Sequence, residues 1–184
     1  MPVPHLKLPL AFDAARLRAE VAALGPEAWT PHFNTRQYEG DWSGVALRTT
    51  EGAHVPLYPD PTKTEYVDMP VLDRCSYVRE VLSTFQCPLK VVRLLKLAAG
   101  SRILEHTDYC LGYEDGEVRV HIPVQTNPQV EFAVDGEALP LAEGECWYIN
   151  FNLPHRIHNR GLTDRIHLVI DCKLNPWLDA MFPK

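Results

Sequence analysis

Apolar and polar residues follow two different periods along this chain, and the change comes near residue 90. Before that point apolar residues recur every three or four positions in two stretches, which predicts two amphipathic helices. The first runs from Asp13 to Leu24, with Asp13 as its N-cap and Gly25-Pro26 as its stop. The second runs from about Val71 to Phe85, directly after Pro70.

Beyond residue 90, short apolar runs alternate with polar positions and end in turn residues, which predicts β-strands. Asp135-Gly136, between two such runs, is the clearest hairpin signal in the chain. The predicted elements are strands at Val91–Leu97, Arg102–Glu105, Val118–Val124, Val130–Val134, Glu137–Leu141, Cys146–Phe151 and Arg165–Cys172, and a short closing helix at Asn175–Phe182.

This order of elements predicts an α+β protein that is mainly β. We expect a single domain over residues 1–184, with a helical N-terminal part at about 1–88 and a β core at about 90–172. Short strands closed by tight turns suit a jelly roll or another β-sandwich, and periodicity alone does not choose between them.

Composition and charge narrow the class of protein. The chain has 184 residues, 46% of them hydrophobic and 23% charged, as in ordinary globular domains. A net charge of −6 argues against a non-specific nucleic-acid binder. No apolar run reaches transmembrane length, and the N-terminal residues lack the pattern of a signal peptide. Five cysteines without CxxC spacing predict reduced thiols and a cytoplasmic protein. Nothing in the pattern selects an oligomeric state.

Four pairs of closely spaced polar residues lie among the apolar residues of the β half. They are His106-x-Asp108, Arg119-x-His121, His155-x-x-His158 and Arg165-x-His167.

The first and third pairs predict a metal site. A two-residue step places side chains on one face of a strand, so His106 and Asp108 can converge on one point, with His155 as a third ligand. Two imidazoles and one carboxylate leave three positions open on an octahedral metal, which is the facial triad of non-haem Fe(II) oxygenases. Zinc is disfavoured because no cysteine has suitable spacing. The alternative is an ordinary strand that ends in a polar turn.

Arg165 follows His155 by ten residues and predicts an anion site. If the two strands pair through a turn containing Asn159 and Gly161, Arg165 returns to the neighbourhood of the metal. A buried arginine requires an anion, and its planar fork suits a carboxylate. A dicarboxylate that chelates iron at one end and meets Arg165 at the other, such as 2-oxoglutarate, has the required shape.

The same set of residues resembles the aspartyl/asparaginyl β-hydroxylase family of Fe(II)- and 2-oxoglutarate-dependent dioxygenases. The matching stretches are HTDYCLGYEDGEVRVHIPVQTN, GECWYINFNLPHRIHNRGLTDRIHLVIDC and, more loosely, RQYEGDWSGVALRT. The resemblance implies a double-stranded β-helix, which is a form of jelly roll. It also implies His106 and His155 as iron ligands, Arg165 as the partner of the distal 2-oxoglutarate carboxylate, and Arg119 and His121 as residues facing that cosubstrate.

Asp108 indicates which members of this family the chain resembles most. Animal aspartyl hydroxylases look like two-histidine sites without this carboxylate, whereas bacterial members, including the hydroxylases of free proline, are similar to this chain in having the full triad. The resemblance implies hydroxylation by O2 of an unactivated C–H bond in an amino acid or peptidyl residue, Asp/Asn or proline-like, with release of succinate and CO2.

The polar and aromatic segment HFNTRQYEGDWSG is the candidate substrate loop. Its candidate contacts are Asn34, Arg36, Tyr38 and Trp42, and a substrate carboxylate would pair with Arg36 or Arg102. The alternative is a structural loop with Trp42 packed beneath it.

Two other functions stay open at this point. One is a cupin-type metal dioxygenase or isomerase that works without 2-oxoglutarate and uses His158 or His121 as an additional ligand. The other is a non-catalytic barrel that binds a small molecule.

Overall fold

Two β-sheets pack face to face in the computed structural model, which describes residues 3–53, 55 and 57–183. The expected domain bounds, residues 1 and 184, lie outside this part of the chain. The strands within it are β1 (His5–Ala11), β2 (Thr30–Pro31), β3 (Tyr38–Glu39), β4 (Trp42–Thr50), β5 (Tyr66–Asp68), β6 (Leu89–Leu97), β7 (Arg102–His106), β8 (Glu117–Gln125), β9 (Val130–Val134), β10 (Glu137–Ala138), β11 (Glu145–Ile149), β12 (His155–Asn159) and β13 (Arg165–Lys173).

Three α-helices accompany the sheets: α1 (Ala14–Ala22), α2 (Ser76–Ser83) and α3 (Pro176–Asp179). The Asp13 side chain caps α1 by accepting from the backbone N–H of Arg16. The second predicted helix is divided in two, because Cys75 leaves the helical region and separates a 3-10 turn at Pro70–Arg74 from α2. The first predicted helix and the short closing one are therefore confirmed, and the second is correct in position but not continuous.

The larger sheet has the strand order β1-β11-β8-β13-β6-β4-β2, with β5 also paired to β4. The smaller sheet has the order β10-β9-β12-β7-β3. All pairings between these strands are antiparallel, and the two sheets enclose an apolar cluster between them. This is a jelly-roll barrel, as the length and spacing of the strands suggested.

Side chains along β8 and β13 alternate between the two faces of the larger sheet. One face packs against the helices, and the other faces the space between the sheets. Val118, Val120 and Ile122 pack against the helices on the outer face of the larger sheet. Arg119 and His121, at the positions between them, line a cavity between the sheets. The same alternation on β13 places Arg165 and Asp171 in that cavity, so the polar interruptions in these strands belong to the inside of the barrel.

The expectation of a helical N-terminal part at about 1–88 is wrong in one respect, because this part also contributes β1 to β5. Of the strands that the sequence pattern did not predict, β4 is the most informative. Eight of its nine residues are buried, and a strand covered on both faces loses the alternation on which a strand prediction depends.

The expected pairing of the strands that carry His155 and Arg165 is also wrong. β12 pairs with β7 and β9 in the smaller sheet, whereas β13 pairs with β6 and β8 in the larger one. The chain between β12 and β13 crosses from one sheet to the other. His155 and Arg165 therefore approach the cavity from opposite sheets.

The hairpin predicted at Asp135-Gly136 is confirmed. Both residues have positive φ, 49° and 81°, as a type I′ turn requires. Among the described residues, no helix has the length and apolar character needed to cross a membrane.

Candidate metal centre

A cavity of about 530 Å³ lies between the two sheets, a size within the usual range of small-molecule sites of roughly 300–1,000 Å³. Polar groups of the β half line it, together with others from the first half of the chain. The titratable or cationic side chains that line it include His32, Tyr58, Arg93, His106, Asp108, Arg119, His121, His155, Arg165 and Asp171.

The three predicted metal ligands lie together on the wall of this cavity. His106 ends β7, His155 begins β12, and the two residues are direct partners in the register of these strands. Their rings lie 4.3 Å apart, centroid to centroid. One ligand atom from each of His106, Asp108 and His155 can be chosen so that all three atoms lie within 4.8 Å of one another.

The position of Asp108 in the fold differs from the prediction, which placed it on the same strand as His106. It lies in the loop after β7, not on the strand, and its backbone N–H donates to the carbonyl of Phe151 at 2.8 Å. The loop, and not strand alternation, therefore brings the carboxylate to the imidazoles. Its Oδ1 lies 3.8 Å from Nε2 of His106.

Both histidines present an unprotonated Nε2 to the cluster when neutral. Nδ1 of His106 lies 2.7 Å from the carbonyl of Leu104, and Nδ1 of His155 lies 3.0 Å from the carbonyl of Leu153. Because a carbonyl only accepts, each Nδ1 must carry the hydrogen, and this fixes the lone pair on Nε2. Burial also lowers the pKa of His155 to about 4, which keeps its imidazole neutral near pH 7.

Arg119 connects Asp108 to a second carboxylate. Its Nη1 donates to Oδ2 of Asp108 at 2.8 Å, while Nε and Nη2 donate to both oxygens of Asp171 at 2.7 and 3.0 Å. Asp171 also accepts from Nη2 of Arg93 at 2.8 Å. Burial would raise the pKa of Asp171, but the two guanidinium groups outweigh it, and the pKa of Asp171 is lowered.

Arg165 contrasts with these arginines because no carboxylate of the described residues contacts it. The residue is 1% exposed, and its guanidinium forms one hydrogen bond with the described residues, from Nη2 to Nδ1 of His167 at 2.8 Å. Its Nε is buried without a partner. Burial alone lowers the pKa of Arg165 to about 9, so it remains a cation at neutral pH, with no counter-ion among the described residues.

His121 and His167 form a buried pair next to Arg165. Nδ1 of His167 accepts from Arg165, so the hydrogen between the two rings, whose Nδ1 atoms are 3.1 Å apart, is carried by His121. Burial and then the nearby Arg165 hold the pKa of both histidines well below the ordinary value. His121 also stacks on Phe151 with centroids 5.0 Å apart.

Two of the five candidate substrate contacts, Asn34 and Trp42, line the cavity, and Trp42 begins β4, as expected if it packs beneath the loop. Tyr38 is not among the lining residues, and its hydroxyl donates to the carbonyl of His32 at 3.2 Å. Arg36 is exposed and is not part of the cavity lining. Arg102 forms an ion pair with Glu39 at the surface, 2.7 Å from Nη2 to Oε2. The expectation that Arg36 or Arg102 meets a substrate carboxylate in the cavity is therefore not supported.

Sequence patterns alone missed Arg93, Asp171, His32 and Tyr58. Arg93 and Asp171 each interrupt an apolar strand, VVRLLKL and HLVIDC, and that interruption is the signal that could have identified them. His32 and Tyr58 belong to loops in the first half of the chain, where no periodicity marks them.

His32 and Tyr58 form a hydrogen-bonded pair on the wall of the cavity. Nδ1 of His32 accepts from the backbone N–H of Asn34 at 3.4 Å, so its hydrogen is on Nε2, which lies 2.6 Å from the Tyr58 hydroxyl. The imidazole also stacks on Trp42, with centroids 3.4 Å apart. Burial lowers the pKa of His32 to about 4 and raises that of Tyr58 to about 12. The tyrosine O–H is therefore left to donate to another group.

Known proteins resemble this chain over most of its length. The curated L-proline cis-4-hydroxylase of Rhizobium meliloti (strain 1021) is 24% identical over 169 residues, which are 91% of this chain. The matched region spans 60% of that relative's length.

Two solved structures share the fold. An oxidoreductase of the 2OG-Fe(II) oxygenase family from Burkholderia pseudomallei matches with a TM-score of 0.60 at 18% identity, over 94% of this chain and 88% of that one. A viral collagen prolyl hydroxylase from Paramecium Bursaria Chlorella virus-1, in its 2OG complex, matches with a TM-score of 0.50 at 8% identity, over 94% and 97% of the two chains.

The family itself is identified by sequence. The profile of the aspartyl/asparaginyl β-hydroxylases matches residues 12–174, which include every strand except β1 and contain every residue of the candidate metal centre. The chain belongs to the aspartyl/asparaginyl β-hydroxylase family.

Proposed function

We propose that this protein is an Fe(II)- and 2-oxoglutarate-dependent hydroxylase of a small amino acid with a free carboxylate, acting as one domain. The observation that carries the proposal is the position of Arg165, a buried cation with no counter-ion among the described residues, in the same cavity as a two-histidine, one-carboxylate cluster. The cluster fits a metal, and the cation fits the far carboxylate of a chelating dicarboxylate.

The donor set supports Fe(II). His106 and His155 direct Nε2 lone pairs to the cluster, and Asp108 has Oδ1 free because Arg119 occupies Oδ2. Three ligands of this kind form the facial triad of non-haem iron enzymes. Fe(II) bound there with 2-oxoglutarate and O2 would supply oxidative decarboxylation to succinate and CO2 and the hydroxylation of an unactivated C–H bond.

The chain's own residues have three tasks in this proposal. His106, Asp108 and His155 hold the metal, and Arg165 binds and orients the distal carboxylate of the cosubstrate. Aromatic side chains on the cavity wall exclude water from the reacting groups; Phe151 packs against both His121 and His155 there. Contacts of Arg119 and His121 with the cosubstrate remain a prediction.

Charge supports a carboxylate on the substrate. Among the described residues that line the cavity, cationic side chains exceed carboxylates by one when the histidines are neutral, and a divalent metal and a dicarboxylate cancel each other. A carboxylate on the substrate would find a cation in excess there, and the ammonium group of a free amino acid would need an acceptor of its own. The charged residues are Lys90, Arg93, Arg119 and Arg165 against Asp108, Glu117 and Asp171.

The curated relative suggests a first substrate to test. That protein is an L-proline cis-4-hydroxylase, and free proline is small enough to share a cavity of about 530 Å³ with the cosubstrate. Trp42 and the pair formed by His32 and Tyr58 would contact the ring and polar groups of such a substrate. A peptidyl Asp, Asn or proline residue is the alternative that the same assay distinguishes.

The structure gives little support to a cupin-type enzyme without 2-oxoglutarate. Neither His121 nor His158 belongs to the ligand cluster found among the described residues. His121 instead contacts His167, and His158 lies near the surface on β12. Such an enzyme would also leave Arg165 without an anion.

The test begins without substrate. Fe(II) and then 2-oxoglutarate are added anaerobically to the apoprotein, and the weak visible charge-transfer band of the chelate is measured in the unmodified protein, Asp108→Ala, Arg165→Ala and the control Arg36→Ala. We expect the band in the unmodified protein and the control, and a loss or weakening in the other two. Iron binding without a band would contradict 2-oxoglutarate dependence, and no iron binding would contradict the metal centre.

Substrate follows in a second assay. L-proline, other free amino acids and peptides that contain Asp, Asn or Pro are compared for O2-dependent release of succinate and for the hydroxylated product. Stimulation by L-proline or another free amino acid supports the proposal. Stimulation by peptides alone would replace it with the peptidyl alternative. Binding of a small molecule without succinate release would indicate the non-catalytic barrel.

A further inference from the structure

We propose that Asp171 is a positioning residue for the metal centre, which acts through Arg119 to leave one oxygen of Asp108 available for the metal. The inference rests on the proposed metal site and assigns a role to a residue that lies outside it. Asp171 is 6% exposed and occupies β13, in the larger sheet.

Strand register brings Asp171 and Arg119 together. The two residues are direct partners in the antiparallel pairing of β13 with β8, and both side chains enter the cavity. The Nε and Nη2 edge of the guanidinium meets both carboxylate oxygens, at 2.7 and 3.0 Å. This two-bond geometry is the strongest that an arginine forms with a carboxylate, so it fixes the orientation of the guanidinium plane.

The fixed guanidinium has a single hydrogen bond to Asp108. Since its Nε and Nη2 edge is occupied, Arg119 reaches Asp108 with Nη1 alone, which donates to Oδ2 at 2.8 Å. Oδ1 is left without a hydrogen-bond donor among the described residues and is the oxygen that faces Nε2 of His106, 3.8 Å away. A guanidinium released from Asp171 could turn its two-donor edge toward Asp108 and bind both oxygens.

The balance of charges around Asp108 also predicts weaker metal binding when Asp171 is lost. Arg93 donates to Asp171 at 2.8 Å, so two guanidinium groups and two carboxylates form one buried cluster without net charge. Loss of the Asp171 charge would leave two cations against Asp108 alone. The excess positive charge would oppose a divalent metal ion, and Arg119 would compete with that ion for the carboxylate.

The experiment measures metal affinity and does not depend on turnover. Fe(II) alone is titrated anaerobically into the full chain by calorimetry, and Co(II) is titrated in parallel to record its visible absorption. Asp171→Asn keeps the size of the side chain but replaces one acceptor oxygen with an NH2 group. We expect Fe(II) affinity to fall about 10- to 100-fold, the usual effect of changing a residue that orients a metal ligand. We also expect the Co(II) spectrum to change.

A matched control is available on the surface. Asp68 also accepts from two arginines, Arg48 and Arg79, and lies outside the cavity lining. Asp68→Asn should leave Fe(II) affinity and the Co(II) spectrum unchanged, which separates the effect of position from a general effect of losing a carboxylate between two arginines.

A second variant tests the same inference if Asp171→Asn does not fold. The double variant Asp171→Asn with Arg93→Met removes one positive and one negative charge, so the buried cluster stays balanced. We expect it to bind Fe(II) weakly as well. Arg93→Met alone retains the two hydrogen bonds between Arg119 and Asp171, and it should bind Fe(II) nearly as well as the unmodified protein.

Unchanged Fe(II) affinity and Co(II) spectrum in a folded Asp171→Asn or double variant would overturn the inference. Normal metal binding by the unmodified protein without the 2-oxoglutarate band would contradict the proposed function but leave the role of Asp171 standing. No Fe(II) binding by the unmodified protein would overturn both.

Discussion

Arg165 and His167 lie two residues apart on β13, and Nη2 of the guanidinium donates to Nδ1 of the imidazole at 2.8 Å. Because burial holds the pKa of His167 well below its ordinary value, the imidazole is neutral and cannot balance the charge of Arg165. The protein therefore maintains a buried cation that destabilises it until an anion binds. This relationship is a property expected of a binding site and not of a structural ion pair.

Replacement of Arg165 by methionine should stabilise the apoprotein. We expect the free energy of unfolding to rise by about 1–3 kcal/mol, because a buried charge without a partner is replaced by an apolar side chain of similar length. The same variant should lose the stabilisation that Fe(II) with 2-oxoglutarate provides. Urea unfolding and thermal shifts with and without the ligands measure both effects.

The control for this prediction is Arg36→Met, which changes an exposed arginine outside the cavity lining. It should alter neither stability nor the response to ligand. An Arg165→Met protein that is less stable than the unmodified one, or that 2-oxoglutarate still stabilises, would contradict the assignment of Arg165 as an anion site.

Tyr58→Phe should weaken substrate use without affecting the metal centre. The tautomer of His32 leaves the Tyr58 O–H free to donate, and removing one such donor costs about 1 kcal/mol, or about fivefold in kcat/KM. The chelate band with 2-oxoglutarate should not change. Initial rates with L-proline, or with whichever amino acid gives turnover, measure the effect.

Tyr109→Phe is the matched control, since this tyrosine also lines the cavity but is 84% exposed. Equal losses in the two variants would mean that the position of the Tyr58 hydroxyl has no special role. A weakened chelate band in Tyr58→Phe would mean that the residue supports the metal site instead.

Acid should destabilise the apoprotein through His121 and His167. The folded-state pKa of each is held well below 6.5 by burial, so the unfolded chain binds more protons as the pH falls through 6.5. Their contribution to stability is therefore present above pH 6.5 and is lost progressively below it, by up to about 1.4 kcal/mol per pH unit for each group. Urea unfolding at pH 7.5, 6.5 and 5.5 measures the slope.

His167→Leu removes one of these two groups and should flatten the pH profile. His158→Leu, which changes a histidine near the surface, should have a smaller effect on the slope. A profile that is equally steep in His167→Leu and the unmodified protein would show that other groups control the acid sensitivity.

Two glycines with similar φ should respond differently to alanine. Gly136, at φ 81°, has open space where a Cβ would lie, so Gly136→Ala should cost only the strain of positive φ, about 1 kcal/mol. Gly144, at φ 79°, has the carbonyl oxygen of Phe12 2.3 Å from the position of a Cβ. Gly144→Ala should therefore be clearly more destabilising in urea unfolding, and equal costs would contradict the packing of Gly144 against the backbone of Phe12, directly after β1.

Much of the fold could be predicted from local pattern. Residues such as Asp13, which caps α1, and Asp135-Gly136, which turn the chain between β9 and β10, act within a few positions of themselves. The candidate ligands His106, Asp108 and His155 could also be chosen from their residue types and spacing. The strand β4 could not be recognised in this way, because it is buried on both faces and has no alternation.

The amino-acid sequence by itself determined which face of each strand is polar, and hence that Arg119, His121 and Arg165 point away from the core. The tertiary structure decided which of these groups meet. It placed Arg165 in the sheet opposite His155, paired Arg102 with Glu39 at the surface, and set Asp171 against Arg119. Periodicity specifies the face of a strand but not its neighbours, since strand pairing joins residues that are far apart in the chain.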